Sequence, residues 1–138
     1  MDNPEEFTYY IPKNQYTTTY YSTSFTDPQE GDLLINIDNY DQSMYYLVFM
    51  GGDDKITHVE TDCKNGRTLV IFKDSYGNAL VPCLTQSFEN IYVCDMRYFD
   101  LNAIDFCKEV GCTDLLFAMN TYSATGSNES YLESNRLQ

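Results

Sequence analysis

The stretch LVIFKDSYGNALVPCL, residues 69–84, runs from β-branched and aromatic residues straight into Lys73-Asp74-Ser75. A serine placed where a buried strand ends is a candidate nucleophile. Open α/β sheets bind ligands in the crevice at the carboxyl ends of their strands. A helix that follows turns free N–H groups and positive dipole character toward an oxyanion, and the backbone of Tyr76 and Gly77 would supply such donors. The plain alternative makes Ser75 an N-cap, stabilising its helix by ~1 kcal/mol. Pro82 argues against that role, because well inside a helix capped at Ser75 it would remove a hydrogen bond and clash with the preceding turn. A helix starting near Asn78 or Ala79 puts Pro82 in the tolerant first turn and leaves Tyr76-Gly77-Asn78 as a loop that lifts the serine clear. This is not a Gly-x-Ser-x-Gly elbow, since Lys73 stands at the first glycine position.

A nucleophile needs a base, and the chain has one histidine, His58. Asn65-Gly66, between KITHVETD and RTLVIFKD, is a strong signal for a two-residue hairpin turn. Pairing outward from it sets His58 opposite Lys73, one diagonal step from Ser75, about 7–8 Å between backbones. The alternative is an ordinary half-exposed strand histidine. Asn120, at the end of a later apolar run, could donate its amide to an oxyanion, where one donor is worth about 3 kcal/mol, or it could simply form a turn. Asp95 and Arg97 follow the strand IYVCD. They either flank the same cleft or make a surface pair worth ~0–1 kcal/mol.

These residues need elements to position them. FTYYI (7–11) and YTTTYYST (16–23) flank Pro-Lys-Asn-Gln and predict a hairpin. DPQEG (27–31) reads as a turn and LLINI (33–37) as a short strand. The run Met44–Phe49 fits a helical turn or a strand, closed by Gly51-Gly52. Beyond the pair of runs around Asn65-Gly66 come a helix at 79–87, a strand at 91–95, a helix at 101–110 ended by Gly111, and a strand at 115–120. Strands alternating with helices predict βαβ units and a partly parallel sheet, and continuously apolar strands predict burial on both faces. The reading is a single α/β domain over 1–138: a β-rich, Tyr-rich portion at 1–45, a parallel-sheet core at 55–122, and a polar, frayed tail at 123–138.

The 138 residues suffice for one core. Eight Lys and Arg against 21 Asp and Glu leave a net charge of -13, which repels phosphate backbones and excludes nucleic acid as a partner; otherwise the acidity serves solubility. Thirteen tyrosines satisfy β-propensity or build a sugar-stacking platform. The five cysteines (63, 83, 94, 107 and 112) follow no zinc or Cys-x-x-Cys spacing. Cys83, Cys94 and Cys107 lie in apolar patterns, which favours buried free thiols over a disulfide framework or metal site. A lone histidine excludes a multi-histidine metal centre, and no cofactor is expected. MDNPEEFTYY has no cationic start and no apolar segment, so no signal peptide is read there. No apolar run approaches the ~18 residues of a membrane span.

FMGGDDKITHVET, TLVIFKDSYGNALVPCL, NIYVCDMRYFD and LLFAMNTYS together resemble the C-terminal part of the DHHW family of bacterial proteins. That family is related to SGNH-type esterases and to acetyltransferase-like proteins that modify exported polysaccharides such as alginate. The likeness runs from Phe49 to Tyr122, is most specific from Lys73 to Leu84, and has a weaker echo in the Tyr-rich N-terminal region. It implies a three-layer, flavodoxin-like (SGNH-like) fold with Ser75 as nucleophile and Asn120 at the oxyanion. Tyr76 and Gly77 would complete the hole, with Gly52, Asp53, Asn78, Asp95 and Arg97 around the binding cleft. It also implies an extracytoplasmic or cell-envelope location, an acetylated polysaccharide substrate, and room for an envelope protein partner. The Asp-His-His-Trp motif lies upstream in full-length members and supplies the partners of the serine; this chain has no Trp and one His. Asp53 stands where the pattern implies Asn.

The expectation is therefore the C-terminal portion of a serine esterase or O-acetyltransferase. On its own it should show weak or no turnover, since losing the base costs about 10⁶ in rate. The rival expectation is a non-catalytic glycan- or protein-binding module at the cell surface, and a third is a complete small enzyme using His58.

Overall fold

The architecture of the computed structural model, which describes residues 6–53 and 56–125, starts from strand β4 (Thr68–Lys73), TLVIFK, buried at every position. A strand with no polar face must be covered above and below, and its backbone groups paired on both edges. Strand β5 (Asn90–Asp95) runs parallel along one edge, with Phe72 opposite Cys94 and Lys73 opposite Asp95. Strand β6 (Asp114–Ala118) runs parallel along the other, with Lys73 opposite Ala118. Beyond β5, strand β3 (Ile56–Thr61) is antiparallel to it, β1 (Tyr16–Tyr21) is antiparallel to β3, and β2 (Gln29–Glu30) is antiparallel to β1. The result is a six-stranded mixed sheet in the order β2-β1-β3-β5-β4-β6.

The period-two alternation of β4 and β5 divides their side chains between two cores. Leu69, Ile71, Ile91 and Val93 pack on one face with Leu33, Met50, Val81 and Phe88. Val70, Phe72 and Cys94 pack on the other with Met96, Phe99 and Phe106. The helices are few and short: α1 (Val81–Leu84), α2 (Ala103–Glu109), whose Asn102 cap accepts the N–H groups of Ile104 and Asp105, and α3 (Thr121–Thr125). Two 3₁₀ segments, Gln42–Val48 and Ser75–Leu80, complete the set among the described residues. Among the described residues no helix is long and apolar enough to cross a membrane.

Several sequence expectations need correcting. The Asn65-Gly66 turn does reverse the chain, with Gly66 at φ 70, but β3 and β4 are not partners because β5 lies between them. The turn residues bind the start of β5 instead: the Arg67 carbonyl accepts from Glu89 (3.0 Å) and Asn90 (3.2 Å), and Gly66 N–H donates to the Glu89 carboxylate at 2.8 Å. β4, buried at all six positions, lies inside the sheet with a parallel strand on each edge, and the mostly buried β5 fills the place beside it that a hairpin would have given to β3. Residues 7–11 form no strand, so β1 takes β2 and β3 as partners; β2 falls inside the expected DPQEG turn. LLINI contributes only the bridge Leu34–Phe49, and the ambiguous run Met44–Phe49 is largely the first 3₁₀ helix. The expected helix at 79–87 is the second 3₁₀ segment followed by the single turn of α1. The expected tail at 123–138 begins in α3 and lies outside the described residues from 126 onward.

Candidate functional site

Lys73, the last residue of β4, is cationic yet only 1% exposed. A buried ammonium requires paired partners, and its Nζ lies 2.9 Å from Asp95 Oδ2 and 2.8 Å from Asp53 Oδ1. Arg97 forks onto the same acids. Its Nη2 lies 2.7 Å from Asp95 Oδ2 and 3.0 Å from Asp53 Oδ2, and its Nε is 2.9 Å from Asp95 Oδ1. Two cations and two carboxylates make an electrically balanced lattice joining the Gly52-Asp53 segment to the ends of β4 and β5. Burial alone would raise the Asp53 carboxyl, but hydrogen bonds from Lys73 and Asn78, with the charges of Lys73 and Arg97, hold it below the ordinary carboxylate value. The Asp95 hydrogen bond likewise holds the Arg97 guanidinium above its ordinary value. Buried Asn78 extends the lattice, its Nδ2 donating to Asp53 Oδ1 at 2.7 Å.

Asp74 organises the other side. Its Oδ1 accepts the Tyr76 N–H at 2.9 Å, and its Oδ2 accepts both the Asn120 N–H at 3.0 Å and the Asn120 Nδ2 at 2.6 Å. Asp74 is therefore the cap of the 3₁₀ segment, not Ser75, and Pro82 lies in the first turn of α1. Gly77 is required by close approach: a Cβ there would sit 2.6 Å from Lys73 Cβ and 3.1 Å from the Ala118 carbonyl. Tyr46 reaches over from the first 3₁₀ helix, its hydroxyl 2.8 Å from the Ser75 carbonyl and 3.1 Å from that of Tyr76. Tyr46 escaped the sequence reading because its segment had no decisive periodicity.

Ser75 thus sits half-buried at the carboxyl end of a parallel strand, on a backbone held from both sides. Its hydroxyl makes no hydrogen bond among the described residues. The donors expected around it are engaged. The Tyr76 N–H faces Asp74 Oδ1, the Gly77 N–H donates to the Asp74 carbonyl at 3.0 Å, and the Asn120 amide divides between Asp74 and Ser123 Oγ.

His58 is not a diagonal neighbour of Ser75: in mid-β3 it stands opposite Tyr92, stacks on that ring at 4.2 Å, and places Nε2 2.9 Å from Asn90 Oδ1. The inserted β5 overturns the pairing that brought His58 and Ser75 together. Gly52 borders a hollow with Tyr20, Ile35 and Met50. Among the described residues no group of three or more His, Cys, Asp or Glu side chains is arranged to hold a metal ion. Of the cysteines expected to be buried, Cys94 is buried, Cys107 half-buried and Cys83 exposed, because Val81 and Pro82 take the inward positions of α1 and leave Cys83 on its outer face.

The family model described as DHHW protein matches residues 8–94. Among solved structures, a DHHW family protein from Eubacterium siraeum DSM 15702 superposes with a TM-score of 0.89 at 50% identity, covering 97% of this chain and 45% of that one. Bacillus cereus PatB1 superposes with a TM-score of 0.69 at 22% identity, over 86% of this chain and 41% of that one. PatB1 with a sulfonyl adduct gives 0.70 at 21% identity, over 89% and 43%. At that identity the PatB1 likeness is one of fold. The chain spans less than half the length of these solved proteins. No curated protein matches it.

Proposed function

The chain belongs to the DHHW family, and from that premise we propose that it is the serine-bearing C-terminal portion of an SGNH-like esterase or O-acetyltransferase acting on acetylated polysaccharide outside the cytoplasm. One observation carries the reading: a half-buried serine hydroxyl, unengaged among the described residues, on a backbone fixed by the Asp74 cap and Tyr46. A serine serving only to cap would have its hydroxyl bonded to the turn, as Asp74 has its carboxylate. The likeness to PatB1 solved with a sulfonyl adduct is in keeping with a reactive nucleophile on this fold.

In the proposed reaction the Ser75 hydroxyl oxygen attacks the acetyl carbonyl while a histidine from the upstream half takes its proton. The tetrahedral oxyanion collapses, the C–O bond to the sugar breaks, and the histidine returns the proton to the departing sugar oxygen. The acetyl group then passes to water or to another sugar hydroxyl. Asn120 could serve the oxyanion by exchanging its bond to Ser123 while Asp74 keeps it in place. β6 is one of the two edge strands, with Leu115 51% and Phe117 50% exposed; the upstream half would complete a three-layer, flavodoxin-like sheet there. The proposal is tested by treating the full-length natural protein with a fluorophosphonate and mapping the label. Labelling at Ser75 that Ser75→Ala removes supports it, whereas labelling that survives Ser75→Ala overturns it.

A second reading, a non-catalytic surface module for glycans or a protein partner, is favoured by the engagement of the Tyr76, Gly77 and Asn120 donors within the fold. Glycan binding unaffected by Ser75→Ala, in a protein that takes no label, would select it.

A further inference from the structure

Helix α2 ends in a turn with a cysteine at each end. Gly111 adopts φ 68, its N–H donates to the Lys108 carbonyl at 3.2 Å, and the Cys112 N–H donates to the Cys107 carbonyl at 2.8 Å. This pair of bonds is a Schellman closure, which folds six residues back so that the first and last side chains meet. Apolar groups usually occupy those two positions; here both are thiols. Each is half-buried against the cluster of Val70, Phe72, Cys94 and Phe106. Burial, and then the adjoining Cys112 sulfur, push the Cys107 thiol up to about 11. The Cys112 thiol donates to the Asp114 carbonyl at 3.1 Å, and its sulfur adjoins the Cys107 side chain. Neither residue belongs to the cluster around Ser75.

We propose that Cys107 and Cys112 form an intramolecular disulfide when the protein meets a disulfide-bearing oxidant. The Cys112 thiolate attacks the oxidant's S–S bond, expelling one thiol and leaving a mixed disulfide. Cys107, which burial keeps protonated longer, then loses its proton, attacks the Cys112 sulfur and expels the second thiol. Two protein thiols and one disulfide become one protein disulfide and two thiols, with two electrons passing to the oxidant. The remaining cysteines offer no comparable closure. Cys94 is fully buried, and the Cys63 and Cys83 thiols face the carbonyls of Gln86 and Ala79. The bond would fix the turn that feeds β6, two residues before the strand begins.

The test equilibrates the chain with oxidised glutathione at mildly alkaline pH, blocks free thiols with iodoacetamide, and digests with trypsin without reduction. Lys108 lies between the two cysteines, so cleavage there leaves the disulfide joining residues 98–108 to 109–136. The expected result is that linked species, with alkylation lost from Cys107 and Cys112 together while Cys63 and Cys83 stay alkylated. Cys112→Ser should return Cys107 to full alkylation, and Cys107→Ser should do the same for Cys112. Full alkylation of both residues after oxidation would overturn the proposal, as would a bond from Cys107 to Cys94 or terminal capture of either residue by glutathione.

Discussion

The Lys73 ammonium lies 2.9 Å from the Asp95 carboxylate across neighbouring parallel strands, and both side chains are 1% exposed. A hydrophobic contact would let the strand ends slide. A buried ion pair is directional, and with Asp53 and Arg97 it sets where the loop after β4 begins. Ser75 therefore rests on charge that is balanced within the fold.

Lys73→Met keeps most of the stem but leaves Asp95 and Asp53 with Arg97 as their one cation. It should destabilise the chain by about 3–5 kcal/mol, the range for breaking a buried pair from one side. Urea unfolding checks this as a lowered midpoint at unchanged slope. In Lys73→Met/Asp95→Leu the combined loss should be smaller than the sum of the two single losses.

The pH dependence follows from Asp53, whose folded carboxyl is held below its ordinary value. A depressed carboxylate contributes stability that is present above the unfolded value of about 3.9 and is lost as pH falls through the folded value. Urea midpoints should therefore drop more steeply below about pH 4 in the natural sequence than in Asp53→Asn. Equal slopes in the two proteins would remove Asp53 from the account.

At Gly77 the added methyl of Gly77→Ala meets Lys73 Cβ at 2.6 Å. Neither a strand end nor a buried lysine stem can yield cheaply, so a loss of about 1–3 kcal/mol is expected. Because the turn must move, the fluorophosphonate label at Ser75 in the full-length protein should fall with it. Unchanged labelling would show that the close packing at Gly77 does not position the serine.

Asn120→Asp changes one atom and sets two carboxylates where the amide now bonds Asp74 at 2.6 Å. It should cost about 1–3 kcal/mol near neutral pH, for a lost bond to a charged group. Part of that stability should return in acid, as one carboxyl of the pair takes up a proton. Asn120→Ala loses the bond without the repulsion, so its thermal midpoint should lack the acid recovery.

The end of β4 and its serine were legible because continuous apolarity, a charged break and a displaced proline all act over a few neighbouring residues. β5, α2 and β6 were visible for the same reason, each within a few residues of its expected bounds. The partner of β4 was not legible. Asn65-Gly66 encodes a reversal, and β3 does run opposite to β4. Whether reversed strands touch depends on a competitor, residues 90–95, which no local pattern reports. His58 was misplaced by that inference alone. The lattice around Lys73 escaped for a related reason, since Asp53, Asp95 and Arg97 come together only once β5 occupies its slot.

That slot has a consequence for synthesis. Only β1–β2 and β4–β5 are neighbours both in chain order and in the sheet, so the sheet cannot close as a series of hairpins, and such long-range pairing is slow. A ribosome adding about 5–20 residues per second releases TLVIFK before β5, and well before β6 ends at Ala118. For a few seconds the strand that will be buried at every position travels with bare edges. The net charge of -13 then opposes the meeting of nascent chains until the last parallel strand arrives.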